Sequence, residues 1–163
     1  MSKTSAAAEV TPPSDGLERK AGSFTLDPAC VAQVDRILGT LSERYPDLAR
    51  EAIETLGAMA RRFVAAPLDV EAGKELYRIA HGLKGNAATL GYPLVTTVAG
   101  SLCTLLEHEP SPCPRTQRAI AAHADALLLI IDRRLSGDGG VDGRELSRDL
   151  AVLVEKLTGR RAA

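Results

Sequence analysis

Apolar residues recur along this chain at spacings of three and four, the period of helices that are buried on one side. The first such stretch starts near Leu26, where Asp27 followed by Pro28 offers a cap and a first-turn proline. Val31, Val34, Leu38, Leu41 and Tyr45 share a side of a helix running to about Arg44. Pro46 predicts a break, because it lacks an N–H and crowds the preceding turn. Asp47 then caps a second helix over 48–64, whose stripe is Leu48, Ala52, Thr55, Leu56, Met59 and Phe63. Pro67 interrupts the chain again before a third helical stretch, Asp69 to Gly91. Gly91-Tyr92-Pro93 ends or kinks that stretch, and Pro93 suits the first turn of a helix bearing Leu94, Val98, Leu102 and Leu105. After an irregular His108–Pro114 loop, Ile120, His123, Ala124, Leu127, Leu128 and Ile131 line a helix over 116–134. A glycine-rich loop, Ser136–Gly143, precedes a last helix burying Leu146, Leu150, Leu153 and Leu157. Six helical stretches result, the last four suited to an antiparallel bundle that the first two pack on or complete.

The chemistry concentrates in the third stretch, DVEAGKELYRIAHGLKGNAATLG. At about 100° per residue, Leu76, Ile79, Ala80, Leu83, Ala87 and Leu90 form its buried stripe. His81 is turned about 140° from Leu76, toward solvent. Lys84 stands at the edge of the same surface, Gly85 one turn beyond the histidine and Ala88 after it. Gly82 and Gly85 each cost a helix interior about 1 kcal/mol relative to alanine. Neither lies on the buried stripe, so close core packing does not account for them. Bare backbone beside an outward imidazole gives another molecule room to bring its own reactive group close.

His81-Gly82-Leu83-Lys84-Gly85, followed by Leu90-Gly91 and later Leu105-Leu106-Glu107, resembles the motif of histidine-containing phosphotransfer (HPt) domains. Those domains are helical bundles that exchange a phosphoryl group between an exposed histidine and the aspartate of a receiver domain. The resemblance implies an all-α fold, an antiparallel four-helix bundle with one or two additional N-terminal helices. It implies that His81 is the phosphorylated residue, that Lys84 is the cation beside the phosphoryl group, and that Gly85 leaves room for the partner. Asn86 departs from the family, many of whose members carry a small residue there. Arg78, Gly82, Gly85 and Ala88 are the expected partner-binding positions, although a plain surface charge is the favoured reading of Arg78. The expected partner is a response-regulator receiver domain, free or part of a hybrid histidine kinase. No cofactor is expected to be bound by this chain, Mg2+ being brought by the receiver. No nucleotide-binding motif is present, so His81 is not expected to phosphorylate itself from ATP.

Composition supports this frame. Ala and Leu dominate and Trp is absent from the 163 residues, which favours helix over sheet. With 20 basic and 21 acidic residues, no strong field argues for nucleic acid. Three cysteines without zinc-like spacing argue against a disulfide scaffold. No apolar run reaches membrane-spanning length and no signal peptide is evident, so a soluble cytoplasmic protein is expected, and a bundle with one continuous core favours a monomer. Residues 1–25 read as a flexible tail and residues 26–160 as one domain. His108 and Cys113 lack the further ligands a metal would need, and the 136–143 loop has glycine where a calcium loop needs oxygen ligands. His123 falls on an apolar side and reads as a structural histidine.

Three other readings use the same features. The phosphoacceptor domain of a histidine kinase normally has an acidic residue directly after its histidine, where this chain has Gly82. A helical-bundle binding protein could dock a receiver or kinase without phosphotransfer. A purely structural bundle would have no use for two glycines around an outward histidine.

Overall fold

The structure, a computed structural model, describes residues 27–66, 69–108 and 113–159. The expectation of a tail over 1–25 therefore lies outside the described residues. The chain divides into two compact units, residues 1–35 and 36–163. Described residues of the first open a helix: the Asp27 carboxylate accepts from the Ala29 N–H at 2.9 Å, ahead of Pro28. Five helices are present among the described residues: α1 (Pro28–Ala65), α2 (Val70–Asn86), α3 (Pro93–His108), α4 (Pro114–Asp132) and α5 (Gly140–Thr158).

The first correction concerns Pro46, which lies inside α1 instead of dividing it. A proline within a helix costs about 3 kcal/mol. Each fully buried large apolar side chain contributes about 1.5–3 kcal/mol, and one continuous helix keeps Tyr45, Ile53, Leu56 and Phe63 in phase on the core. Burial therefore outweighs the break. The buried stripe is Tyr45, Ala49, Ile53, Leu56, Ala60 and Phe63, rotated from the expected one. Leu48 is 53 % exposed and Thr55 is exposed, while Ala52 and Met59 are half-buried. Val31, Val34 and Leu41, expected to be buried, are exposed as well.

The described residues of 36–163 form an antiparallel helical bundle, as the pattern predicts, and of the one or two additional N-terminal helices expected there is one, α1. Pairs of contacts fix the directions. Along α1 and α4, the Gln117 amide donates to the Val64 carbonyl at 3.3 Å, and Arg50 pairs with Asp132 at 2.6 Å. Along α1 and α2, Phe63 closes over Gly73, and the Tyr45 hydroxyl reaches Asn86 at 3.4 Å. α3 packs against α2, α4 and α5, and α4 also packs against α5. The expected core positions of α2 to α5 are buried or half-buried, and Val154 is a fully buried addition.

α2 stops at Asn86 rather than running to Gly91. The Tyr92 N–H donates to the Ala87 carbonyl at 2.9 Å and the Gly91 N–H to Ala88 at 3.1 Å, the paired bonds of a Schellman ending. Gly91 supplies the positive φ of 87° that this ending requires. The Ala88 N–H turns to the Thr96 hydroxyl at 3.0 Å, which ties the end of α2 to the start of α3. At its other end Asp69 caps the helix through the Ala72 N–H at 3.0 Å and pairs with Arg62 at 2.6 Å. Those bonds hold the Asp69 carboxyl below the usual carboxylate range, the Ala72 N–H most of all. The glycine-rich loop serves packing: a Cβ on Gly143 would collide with the Asp138 carbonyl, so α5 can start only with glycine there.

His123 is the structural residue its position predicts, fully buried, with Nδ1 2.7 Å from the Ala119 carbonyl and Nε2 3.0 Å from the Ser101 hydroxyl. Burial pushes its imidazole below the ordinary value, an effect the Ala119 carbonyl opposes. Among the described residues no group of His, Cys, Asp or Glu could hold a metal ion. No described helix is long and apolar enough to cross a membrane.

Candidate functional site

The site is built on α2, whose buried side is anchored by Leu76, Ile79, Ala80 and Leu83. That anchoring turns His81 outward: its side chain is exposed, and among the described residues neither ring nitrogen has a hydrogen-bond partner. Gly82 and Gly85 are exposed beside it, and a Cβ at either would meet no atom within 4 Å. The space next to the imidazole is therefore open solvent rather than a packed contact.

Lys84 is exposed but not loose. Its aliphatic stem crosses α3 at Gly100, where a Cβ would lie 3.6 Å from Lys84 Cε and 3.7 Å from Cδ. A Cβ there would make ordinary van der Waals contact with the stem, so the lysine lies along the surface of α3 with its charged end exposed. Cys103 lies beneath, 2 % exposed, and burial pushes its thiol up to about 11 against the opposing pull of the Lys84 charge.

The remaining expected positions differ in their surroundings. Arg78 is exposed and held by Glu75 through two bonds, Nε to Oε2 at 2.8 Å and Nη2 to Oε1 at 2.6 Å. It lines one side of a shallow groove of about 370 Å³ between α1 and α2, together with Leu48, Ala52, Ile79, Gly82 and Leu83. Ala88 is exposed but belongs to the turn after α2 rather than to the helix.

Tyr77, absent from the sequence-based expectations, and Glu107, which figured there only as part of the motif, join the site. Tyr77 stacks on His81, ring centroids 5.7 Å apart and planes 25° from parallel. The Tyr77 hydroxyl donates to Glu107 of α3 at 2.6 Å, and that bond, with lesser help from desolvation, pushes the phenol up to about 12. The Tyr77–His81 spacing of four residues is a signal that was available in the sequence. The Glu107 and Gly100 contacts had none, because they depend on how α3 is registered against α2.

An outward imidazole on a helical bundle, flanked by bare backbone and a laid-down lysine, leaves the face of α2 open to another molecule. A family model for the Hpt domain matches residues 38–133, more than half of the chain, and the chain belongs to that family. The match spans most of α1 and all of α2, α3 and α4, with the whole site inside it. No curated protein and no solved structure matches the chain significantly. Family membership carries a phosphorelay-type function and a carrier rather than a kinase role; Hpt domains as a class partner with receiver domains.

Proposed function

We propose that this protein is a phosphorelay intermediate that takes a phosphoryl group on His81 Nε2 and exchanges it with a receiver-domain aspartate. The observation that carries this reading is the exposed, unbonded imidazole beside two glycines, Gly82 and Gly85, with empty space above them. In the forward step the Nε2 lone pair forms an N–P bond as the acyl O–P bond breaks. The electron pair of that bond leaves on the carboxylate, and the Nδ1 proton of the ring goes to solvent. The reverse step restores the acyl phosphate on the partner. Lys84 lies against the phosphoryl oxygens and offsets their charge. The other half of the reaction centre, an aspartate with its magnesium ion, belongs to the receiver.

The receiver docks on the exposed face of α2 and the groove beside it, where Leu48, Ala52 and Gly82 offer apolar and bare surface. Arg78, Gly82, Gly85 and Ala88 then meet the partner, while Leu83 stays in the core. Mixing the protein with a phosphorylated receiver domain and following acid-labile, base-stable phosphate tests the reading. Label on the wild type should vanish in His81→Gln with the fold intact by circular dichroism, and should weaken in Lys84→Ala. Docking without label across a broad receiver panel would overturn phosphotransfer and leave a binding protein.

A further inference from the structure

The stack on His81 and its anchor on α3 form a connected unit: Glu107 accepts the Tyr77 hydroxyl at 2.6 Å, and the Tyr77 ring lies 5.7 Å from the imidazole at 25°. A short, charge-assisted bond of this kind restricts a tyrosine that would otherwise sweep the surface. Tyr77 is half-buried and Glu107 exposed, so the tether crosses the rim between two helices rather than the core. The core of α2 is complete without it, through Leu76, Ile79, Ala80 and Leu83. Among the described residues no hydrogen bond orients the His81 ring. The ring that stacks on it is the tethered phenol.

We propose that Tyr77 is a positioning residue for His81, held in place by Glu107, and that it fixes the imidazole plane so that Nε2 rather than Nδ1 is offered to phosphorus. This rests on the phosphocarrier reading for its purpose, though the ring geometry can be measured apart from any transfer. An imidazole free to rotate spends only part of its time aligned for in-line attack, and loss of alignment lowers rate without removing the nucleophile. Aromatic contact with the tethered ring limits that rotation on one side. The phenol remains protonated, as its raised value requires, so the tether persists across the neutral range.

The test uses the full chain, with Tyr77→Phe, Tyr77→Ala, Glu107→Gln and Glu107→Ala. Phosphoramidate serves as a small donor that needs no docking surface: the ring nitrogen forms the N–P bond, the P–N bond to ammonia breaks, and ammonia leaves with the electron pair. The first readout is the ring-proton chemical shift of unphosphorylated His81, which carries the ring current of Tyr77. Loss of that shift in Tyr77→Ala, and its partial averaging in Tyr77→Phe and Glu107→Ala, are expected. The second is the phosphohistidine isomer seen by 31P and 15N resonances. Wild type and Glu107→Gln, whose amide oxygen still accepts, should give the Nε2 form. Tyr77→Ala should label about tenfold more slowly, with the Nδ1 form beside the Nε2 form. Unchanged His81 shifts, or an unchanged isomer and rate in both Tyr77 variants, would overturn the positioning role. A wild type that shows the ring-current shift but accepts no phosphate from phosphoramidate or receivers would sink the phosphocarrier reading and leave the stack standing.

Discussion

Gly82 and Gly85 place stability and function in opposition, and the size of each effect can be worked from their surroundings. Both are in α2 without a positive φ, and neither Cβ position has an atom within 4 Å. Alanine is better than glycine by about 1 kcal/mol in a helix interior. Gly82 lies a full turn before the last helical residue, Asn86, and takes most of that gain. Gly85 is in the fraying last turn and takes about half. The double variant Gly82→Ala/Gly85→Ala should therefore be more stable by about 1.5 kcal/mol, a rise in Tm of roughly 3–6 °C for a domain of this size. Transfer should move the other way, because a side chain at Gly85 occupies the approach of the receiver. Gly85→Gln should slow transfer from a phosphorylated receiver about tenfold or more, since small misplacements at a reacting centre are amplified. Labelling of His81 by phosphoramidate should stay at the wild-type rate in the same variant. Thermal unfolding by circular dichroism and receiver transfer kinetics give both numbers on one set of proteins. Two results would refute the reasoning: a double variant less stable than wild type, or a Gly85→Gln protein that exchanges with receivers at full speed.

Four further outcomes follow from the packing. His123 is buried neutral, so the unfolded chain takes up a proton first as pH falls through about 6.5. Stability should fall below that pH by up to about 1.4 kcal/mol per unit, and His123→Gln should flatten the dependence in denaturant titrations. Arg134 ends α4 at φ 50°, where glycine is free of the Cβ penalty. Arg134→Gly should raise stability by about 0.5–1 kcal/mol despite losing an exposed pair to Asp47. Gly143→Ala should destabilise by about 1–3 kcal/mol through its collision with the Asp138 carbonyl, read as a lower denaturant midpoint. Gly100→Leu should push Lys84 off α3 and reproduce the defect of Lys84→Ala, slowing receiver transfer and phosphoramidate labelling of His81 alike.

The direction in which His81 points was legible in the sequence because helical periodicity is a local property. Once Leu76, Ile79, Ala80 and Leu83 must face a core, the residue at position 81 has to face away. The same logic made the glycines conspicuous, put His123 inside and gave the all-α bundle. Local rules failed where a tertiary term exceeded them. Pro46 reads as a break on propensity, yet burial of Tyr45, Ile53 and Leu56 holds α1 together and rotates its buried stripe. The period continued through Ala87 and Leu90, but beyond Asn86 the Ala88 N–H turns to the Thr96 hydroxyl and Schellman bonds close residues 87–92 into a turn. Tyr77 on Glu107 and Lys84 over Gly100 join residues of different helices. Those contacts depend on the axial register of α3 against α2. The sequence by itself determined which face of each helix is apolar, and therefore that a histidine, a lysine and two bare backbone positions share a surface. Only the tertiary structure decided what orients them, because register between helices is set by how whole side chains interlock and not by the period of either helix alone.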